Sequence, residues 1–255
     1  LRNTPLAPKW RQIIERNNWH WNYLAARQRE RLAGLVQIFV AEKHWEGLRG
    51  LTVDDEIRVT VAAAACLLLL GFDDDFCFDR ARTILISPAA FRDRQPGDDF
   101  EPGEEHGGYA IGQAWKGGTI VLSWRDVRRE CRRPGAGHNV VVHEFAHHID
   151  SLDGEMGGTP PLVTANLRGN WSRVMEATRA ELANDLDSDR PTVLDPYGLT
   201  NRAELFAVAG EAFFCRPSEL RSNAPELYEL LSELFRLDPA AWFADEPTGE
   251  RKPPL

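Results

Sequence analysis

Apolar positions recur along most of this chain at helical spacing. Trp10–Glu15 and Arg29–Lys43 repeat their apolar residues three and four apart, which places them on one face of an α-helix. Val59–Leu70 is apolar almost throughout, with Thr60 its one polar residue. Asp54, Asp55 and Glu56 stand directly before it, where acidic residues favour a helix start. The segment therefore reads as a core helix, and it is shorter than the ~20 residues that span a bilayer. The period changes twice: Arg82–Ser87 alternates as a short strand and Gly118–Trp124 is a second. Residues 95–118, rich in Gly and acid, are expected as a long connection or hairpin between them. Helices are expected again at Trp124–Arg132, from near Asn139, and near residues 167–186, 201–215 and 224–236, with a Gly/Pro loop at 151–162. No internal repeat is present. The pattern predicts an α+β fold, mostly helical with a small sheet, one lobe to each side of a cleft.

The helix expected from Asn139 carries the candidate chemistry. Val140, Val141, Val142, Phe145, Ala146 and Ile149 make it apolar on most sides, so it is expected to be buried. Within it, His143-Glu144-Phe145-Ala146-His147 reads H-E-x-x-H. Positions four apart share a face, so His143 and His147 can offer two imidazole nitrogens to one zinc ion, and Glu144 can reach and deprotonate a water on that metal. Buried histidines and a buried glutamate need partners, and a metal supplies one. Asn139 can cap the helix. His148 points about 100° away from His147 and is read as a non-ligand. Asp150 either orients a ligand histidine through its second nitrogen or simply ends the helix.

A catalytic zinc takes three protein ligands and keeps one open position. The longer pattern H-E-x-x-H-x-x-G-x-x-H is excluded, because Asp150 and Asp153 stand at its glycine and final histidine positions. The alternative is a glutamate from a later helix. Glu204 and Glu211 lie seven apart on one stripe of the expected 201–215 helix. Glu204 could instead belong to a capping box opened by Asn201, and Glu211 could instead hydrogen-bond a ligand histidine. The residues alone leave the two equal. Tyr197 alone reads as packing in a Pro-Tyr-Gly turn.

Five stretches carry a resemblance: Phe39–Lys43, Ile120–Trp124, Gly137–His147, Asp195–Tyr197 and Glu204–Phe214. On these the chain from about Arg27 to Asp238 resembles the Mlc titration factor A family of zinc metallopeptidases, whose catalytic core is similar to that of anthrax lethal factor. The resemblance implies a zincin-like metallopeptidase domain over residues 1–255, with an N-terminal lobe of about 1–136 and a zinc-binding lobe of about 137–255. It implies one Zn2+ per chain, held by His143, His147 and the glutamate that opens the E-x-F-A-V segment seven residues after a tyrosine. Here these are Glu204 and Tyr197. Tyr197 then hydrogen-bonds the oxyanion of the intermediate, beside Glu144 as general base, and Glu211 orients a ligand histidine. The implied activity is zinc-dependent peptide-bond hydrolysis, aminopeptidase-like and linked to the regulation of sugar uptake. The implied partners are a peptide or protein substrate and a transcriptional repressor of the Mlc type. The alternative is a regulatory binding protein that sequesters such a repressor, its zinc site latent or structural. A closed structural site needs a fourth ligand, for which His106 and His138 are loose candidates. The chain departs from the family pattern at Asn201-Arg202 and in the acid-rich Phe72–Phe76.

Composition narrows the partners further. A net charge of -9 argues against a nucleic-acid surface, which needs clustered Lys and Arg. The one basic cluster, Arg125–Arg133, contains Asp126 and Glu130 at helical spacing and reads as a solvated, internally paired face. Cysteines 66, 77, 131 and 215 form no C-x-x-C and are expected as free buried thiols in a reducing compartment. No secretory signal and no membrane contact are visible in these residues, and a cytoplasmic location is expected. Thr119–Ser123 is expected either as an edge strand that pairs with an extended peptide or as an ordinary core strand.

Overall fold

The computed structural model describes residues 4–72, 78–89, 118–135, 137–161 and 164–243. Nine α-helices and three strands run through these residues. Helices α1 (Pro8–Asn17), α2 (Ala26–Glu42) and α3 (Asp55–Leu67) build the first part, with strand β1 (His44–Gly47) between α2 and α3. Strands β2 (Thr83–Ser87) and β3 (Thr119–Ser123) follow, and β3 runs directly into α4 (Trp124–Arg132). The remainder is helical: α5 (Val140–Asp150), α6 (Ala165–Asp187), α7 (Arg202–Cys215), α8 (Pro217–Asn223) and α9 (Pro225–Phe235). The architecture is thus mostly helical α+β, as the sequence predicts.

Local chemistry sets the boundaries. Asp54 Oδ1 accepts from Ile57 N–H at 3.0 Å and opens α3; Thr164 Oγ1 accepts from Leu167 N–H at 3.1 Å and opens α6. Proline stands in the first turn of α1, α8 and α9, where its missing N–H removes no helical bond. The acid-rich Asp73–Phe76, Cys77, His106 and most of the 95–118 connection lie outside the described residues.

The sheet is parallel throughout, in the order β1-β2-β3. Strand β2 is central, and Ile84 and Ile86 are completely buried. Strand β1 is not anticipated by the hydrophobic pattern, because His44-Trp45-Glu46-Gly47 is only four residues long and alternates between exposed and half-buried with no buried position. It exists through pairing with β2, in the register His44 to Thr83 through Gly47 to Ile86. Strand β3 pairs with β2, and among the described residues it pairs with no other strand.

Two aromatic clusters anchor the site-bearing helices. Phe145 on α5 packs against Phe78 at 4.6 Å and Phe39 at 5.5 Å between ring centroids. Phe213 and Phe214 on α7 pack against Phe235 of α9 at 5.5 and 5.2 Å. Each is essentially unexposed, and burying one such side chain contributes roughly 1.5–3 kcal/mol. Helices α5 and α7 also pack on each other, with Gly210 set against Ala146. No helix among the described residues is long and apolar enough to cross a membrane.

Candidate metal centre

The start of α5 is held by three side chains from different parts of the chain. Asn139 is extended, at φ -150 and ψ 98, and its Oδ1 accepts from Val141 and Val142 N–H. Glu130 Oε2, from α4, accepts from Val140 N–H at 2.8 Å. Glu211 Oε2, from α7, accepts from Asn139 N–H at 2.6 Å. The donors that a helix start leaves without internal partners are thereby matched, and two of the acceptors are carboxylates, which suits the positive end of the helix dipole.

The charge pattern places Glu130 on a solvated face, but the structure buries it, as it does Asp126. The internal pairs of that face do form, Arg129 reaching Asp126 at 3.1 Å and Glu130 at 2.8 Å. Glu130 turns inward to accept from Val140 N–H. Burial pushes the Glu130 carboxyl up, against the hydrogen bonds from Val140 and Arg129.

His143, Glu144 and His147 are all buried. His143 Nε2 lies 3.0 Å from Glu204 Oε2, His147 Nε2 lies 3.2 Å from the same oxygen, and the two Nε2 atoms are 3.1 Å apart. Glu204 reaches this point from the first turn of α7, whose start is fixed by Asn201 Oδ1 accepting from Glu204 N–H at 3.0 Å. Glu211, two turns along α7, holds the other side of the same imidazole, with His143 Nδ1 donating to its Oε1 at 2.8 Å. The two glutamates left equal by sequence thus take opposite nitrogens of one histidine.

This donor set suits a zinc ion. Tetrahedral bonds of about 2.0–2.1 Å place ligand atoms about 3.3 Å apart, and the three here are 3.0 to 3.2 Å apart. His143, His147 and Glu204 form a buried group able to hold a metal ion. With Nδ1 of His143 donating to Glu211, neutral imidazole turns a lone pair toward Glu204, an arrangement that calls for a cation or a proton between them. Burial works to lower the His143 pKa, but hydrogen bonds with Glu204 and Glu211 outweigh it and hold the imidazole well above its ordinary value. Burial likewise works to raise Glu204, and the bonds to His143 and His147 pull it down to about 2.

Glu144 differs. Burial pushes its carboxyl up to about 7, with the His143 charge opposing and Glu204 and Glu211 adding to the rise. Tyr197 lies in a short 3-10 turn, Pro196–Leu199, fixed by Asp195 Oδ1 accepting from Tyr197 N–H at 2.7 Å. Its ring centroid is 6.2 Å from that of His143. Burial first, then the charges of Glu204 and Glu144, raise the phenol above its ordinary pKa.

The remaining candidates fall around this centre. Asp150 Oδ2 accepts from Gly158 N–H at 2.8 Å and fastens the loop that follows α5. Gly158 has φ +72, and a Cβ there would meet Arg202 O at 2.2 Å, so the loop lies directly on the start of α7. His148 packs its ring against Phe78 at 5.5 Å, and burial takes its pKa down to about 4. His138 is exposed, 3.5 Å from Asp195 Oδ2 and 3.9 Å from Glu211 Oε2, apart from the three converging donors.

A family model described as glucose-regulated metallo-peptidase M90 matches residues 1–236. The chain belongs to the M90 family. An uncharacterised protein of Synechocystis sp., slr2042, is 35% identical over 237 residues, covering 92% of this chain and 86% of its own length. Mlc titration factor A of Salmonella schwarzengrund is 27% identical over 244 residues, 91% of each chain, and that of Salmonella typhimurium is 26% identical over the same span. The M90 assignment confirms the resemblance carried by the five motifs.

Proposed function

We propose that this M90 member is a zinc-dependent peptidase that hydrolyses peptide bonds. The observation that carries the reading is the convergence of His143, His147 and Glu204 beside a buried Glu144. One zinc per chain, held by those three residues, would supply Lewis acidity and a water acidified to near neutral pH. Glu211 keeps the His143 ring turned toward the site. Glu144, buried next to His143, accepts the proton of the attacking water and passes it to the leaving amine. The Tyr197 phenol, protonated at all ordinary pH, donates a hydrogen bond to the carbonyl oxygen as negative charge develops on it. Strand β3, at the edge of the described sheet, would add an extended substrate by main-chain pairing. Aminopeptidase-like cleavage is the narrower form of this reading.

The chain works as one domain, its lobes meeting near residue 137; one buried cluster running from Ile13 to Ala240 supports this. A cytoplasmic location fits the buried free thiols Cys131 and Cys215. A second reading rests on the relatives called Mlc titration factor A: binding of a repressor of the Mlc type, coupled to sugar uptake.

The test combines metal analysis with cleavage of aminoacyl and longer fluorogenic peptides, wild type beside Glu144→Gln. One zinc per chain in both proteins, with turnover lost only in the variant, is the expected result. Equal turnover by both would remove Glu144 from the mechanism. Zinc in both with no cleavage by wild type would leave the repressor-binding reading in its place.

A further inference from the structure

A cavity of about 730 Å³ has Glu204, one of the three converging donors, in its wall. Beyond Glu204 its wall contains Ala203, Arg202, Arg179, Glu176 and Met156. Two of these are guanidiniums and one is their counter-charge: Arg202 Nη2 lies 2.6 Å from Glu176 Oε1, and Arg179 Nη2 donates to Leu199 O at 3.2 Å. Glu204 faces the metal group through both histidines, so with a dication there the outer wall keeps a net positive charge. In a chain of net charge -9 this pairing of guanidiniums is set against the general balance, and repulsion from more distant acids is screened beyond about 8 Å at physiological salt.

We propose that Arg202 and Arg179 form a subsite that recognises a carboxylate on the peptide substrate, resting on the peptidase reading above. A guanidinium carries five N–H donors in a fork that fits a carboxylate, and the contacts to Glu176 and Leu199 each engage one Nη. Both partners of the Arg202–Glu176 pair are more than half exposed, 71% and 51%. Such pairs are weak, so an incoming carboxylate displaces or shares Glu176 at small cost. Arg202 is two residues before Glu204 on α7, a spacing at which helical side chains do not face each other, so the subsite lies to one side of the converging donors and the peptide scan below gives the substrate position it reads. Met156, one of the exposed large apolar side chains, gives the methylene stem of a glutamate a surface to lie on. The close approach of Gly158 to the Arg202 backbone places the loop bearing Met156 beside the arginine. The carboxylate has two sources, an Asp or Glu side chain or the chain terminus.

The test uses zinc-loaded and zinc-free Glu144→Gln protein, so that binding is read without turnover. Fluorescent peptides differ only in one residue, Glu or Gln, placed at successive positions, each with a free or amidated terminus. At the best position the Glu peptide is expected to bind about tenfold tighter than its Gln partner, about 1.4 kcal/mol. Arg202→Ala should cut that preference at least threefold, and Glu176→Gln should enlarge it, an effect that a merely structural arginine would not produce. Thermal melts check that each variant is folded. A preference that follows the free terminus in place of Glu assigns the subsite to terminal carboxylates. Equal binding of all peptides, or a preference unchanged in Arg202→Ala and Arg179→Ala, overturns the proposal. Cleavage by the wild type, measured separately, decides the peptidase reading on its own.

Discussion

Glu211→Gln is the most informative single change, because one carboxylate serves two buried donors. Its oxygens accept from His143 Nδ1 at 2.8 Å and from Asn139 N–H at 2.6 Å, and the side chain is only 9% exposed. A glutamine has one acceptor oxygen, so its –NH2 must face one of the two donors. Leaving a buried donor unmatched costs about 1–3 kcal/mol. In a chain of this size that lowers the melting temperature by roughly 2–12 °C. If the amide turns toward His143, the ring loses its orienting partner, a change that typically weakens metal binding 10–100-fold. The assay is a zinc titration against a chelating dye, paired with melts of the zinc-free and zinc-loaded forms. Both a lower zinc-free melt and a smaller zinc-induced shift are expected. A variant that binds zinc within about threefold of wild type and melts at the same temperature would refute the assignment of Glu211 as the group that positions His143.

Other measurements follow from the same contacts. In the zinc-free protein His143 is held well above its ordinary pKa. Zinc must displace that proton, so apparent affinity should climb about tenfold per pH unit upward from pH 6.5 until the proton is gone; a flat profile refutes this. By the same sign, the stability that this proton contributes is present below pH 6.5 and is lost as pH rises through the folded-state value. His20 behaves oppositely. Burial takes it down to about 3, against the hydrogen bond to Phe214 O, so its contribution is complete above pH 6.5 and drains away as pH falls toward 3. Urea unfolding at pH 4.5 should show about 3 kcal/mol less stability from this group than at pH 7, and His20→Gln should flatten the profile. Gly210→Ala places its Cβ 3.5 Å from Ala146 Cβ, an ordinary contact. It should therefore add up to about 1 kcal/mol of helix propensity with zinc affinity unchanged, and a loss of both would show the α5–α7 contact to be tighter than described.

What the sequence disclosed, and what it withheld, follows from the range of the interactions. His143, Glu144 and His147 were legible because a helix fixes their relation through residues three and four apart. Glu204 and Glu211 were not separable by residues alone, since two positions seven apart on one stripe point the same way. Only the docking of α7 on α5 sends one to Nε2 and the other to Nδ1. Strand β1 escaped because its partner lies some forty residues away and none of its own positions is buried. Glu130 looked solvated because its charge pattern suits a surface helix, whereas the reason for its burial, Val140 N–H, belongs to another element. Asn201 is a possible cap by sequence and does open α7, while Glu204 at the third position turns to the histidines.

The shared carboxylate of Glu211 also makes the Asn139 amide a natural spectroscopic reporter. That amide is hydrogen-bonded to one oxygen and His143 to the other, so a change of charge on the imidazole alters the electron density that the amide proton feels. In a nitrogen–proton correlation spectrum the Asn139 resonance should therefore move with occupancy of the site, at a position outside the converging donors. A single backbone signal would then follow filling and emptying of the centre in nitrogen-15-enriched protein, with no dye attached and no substrate present.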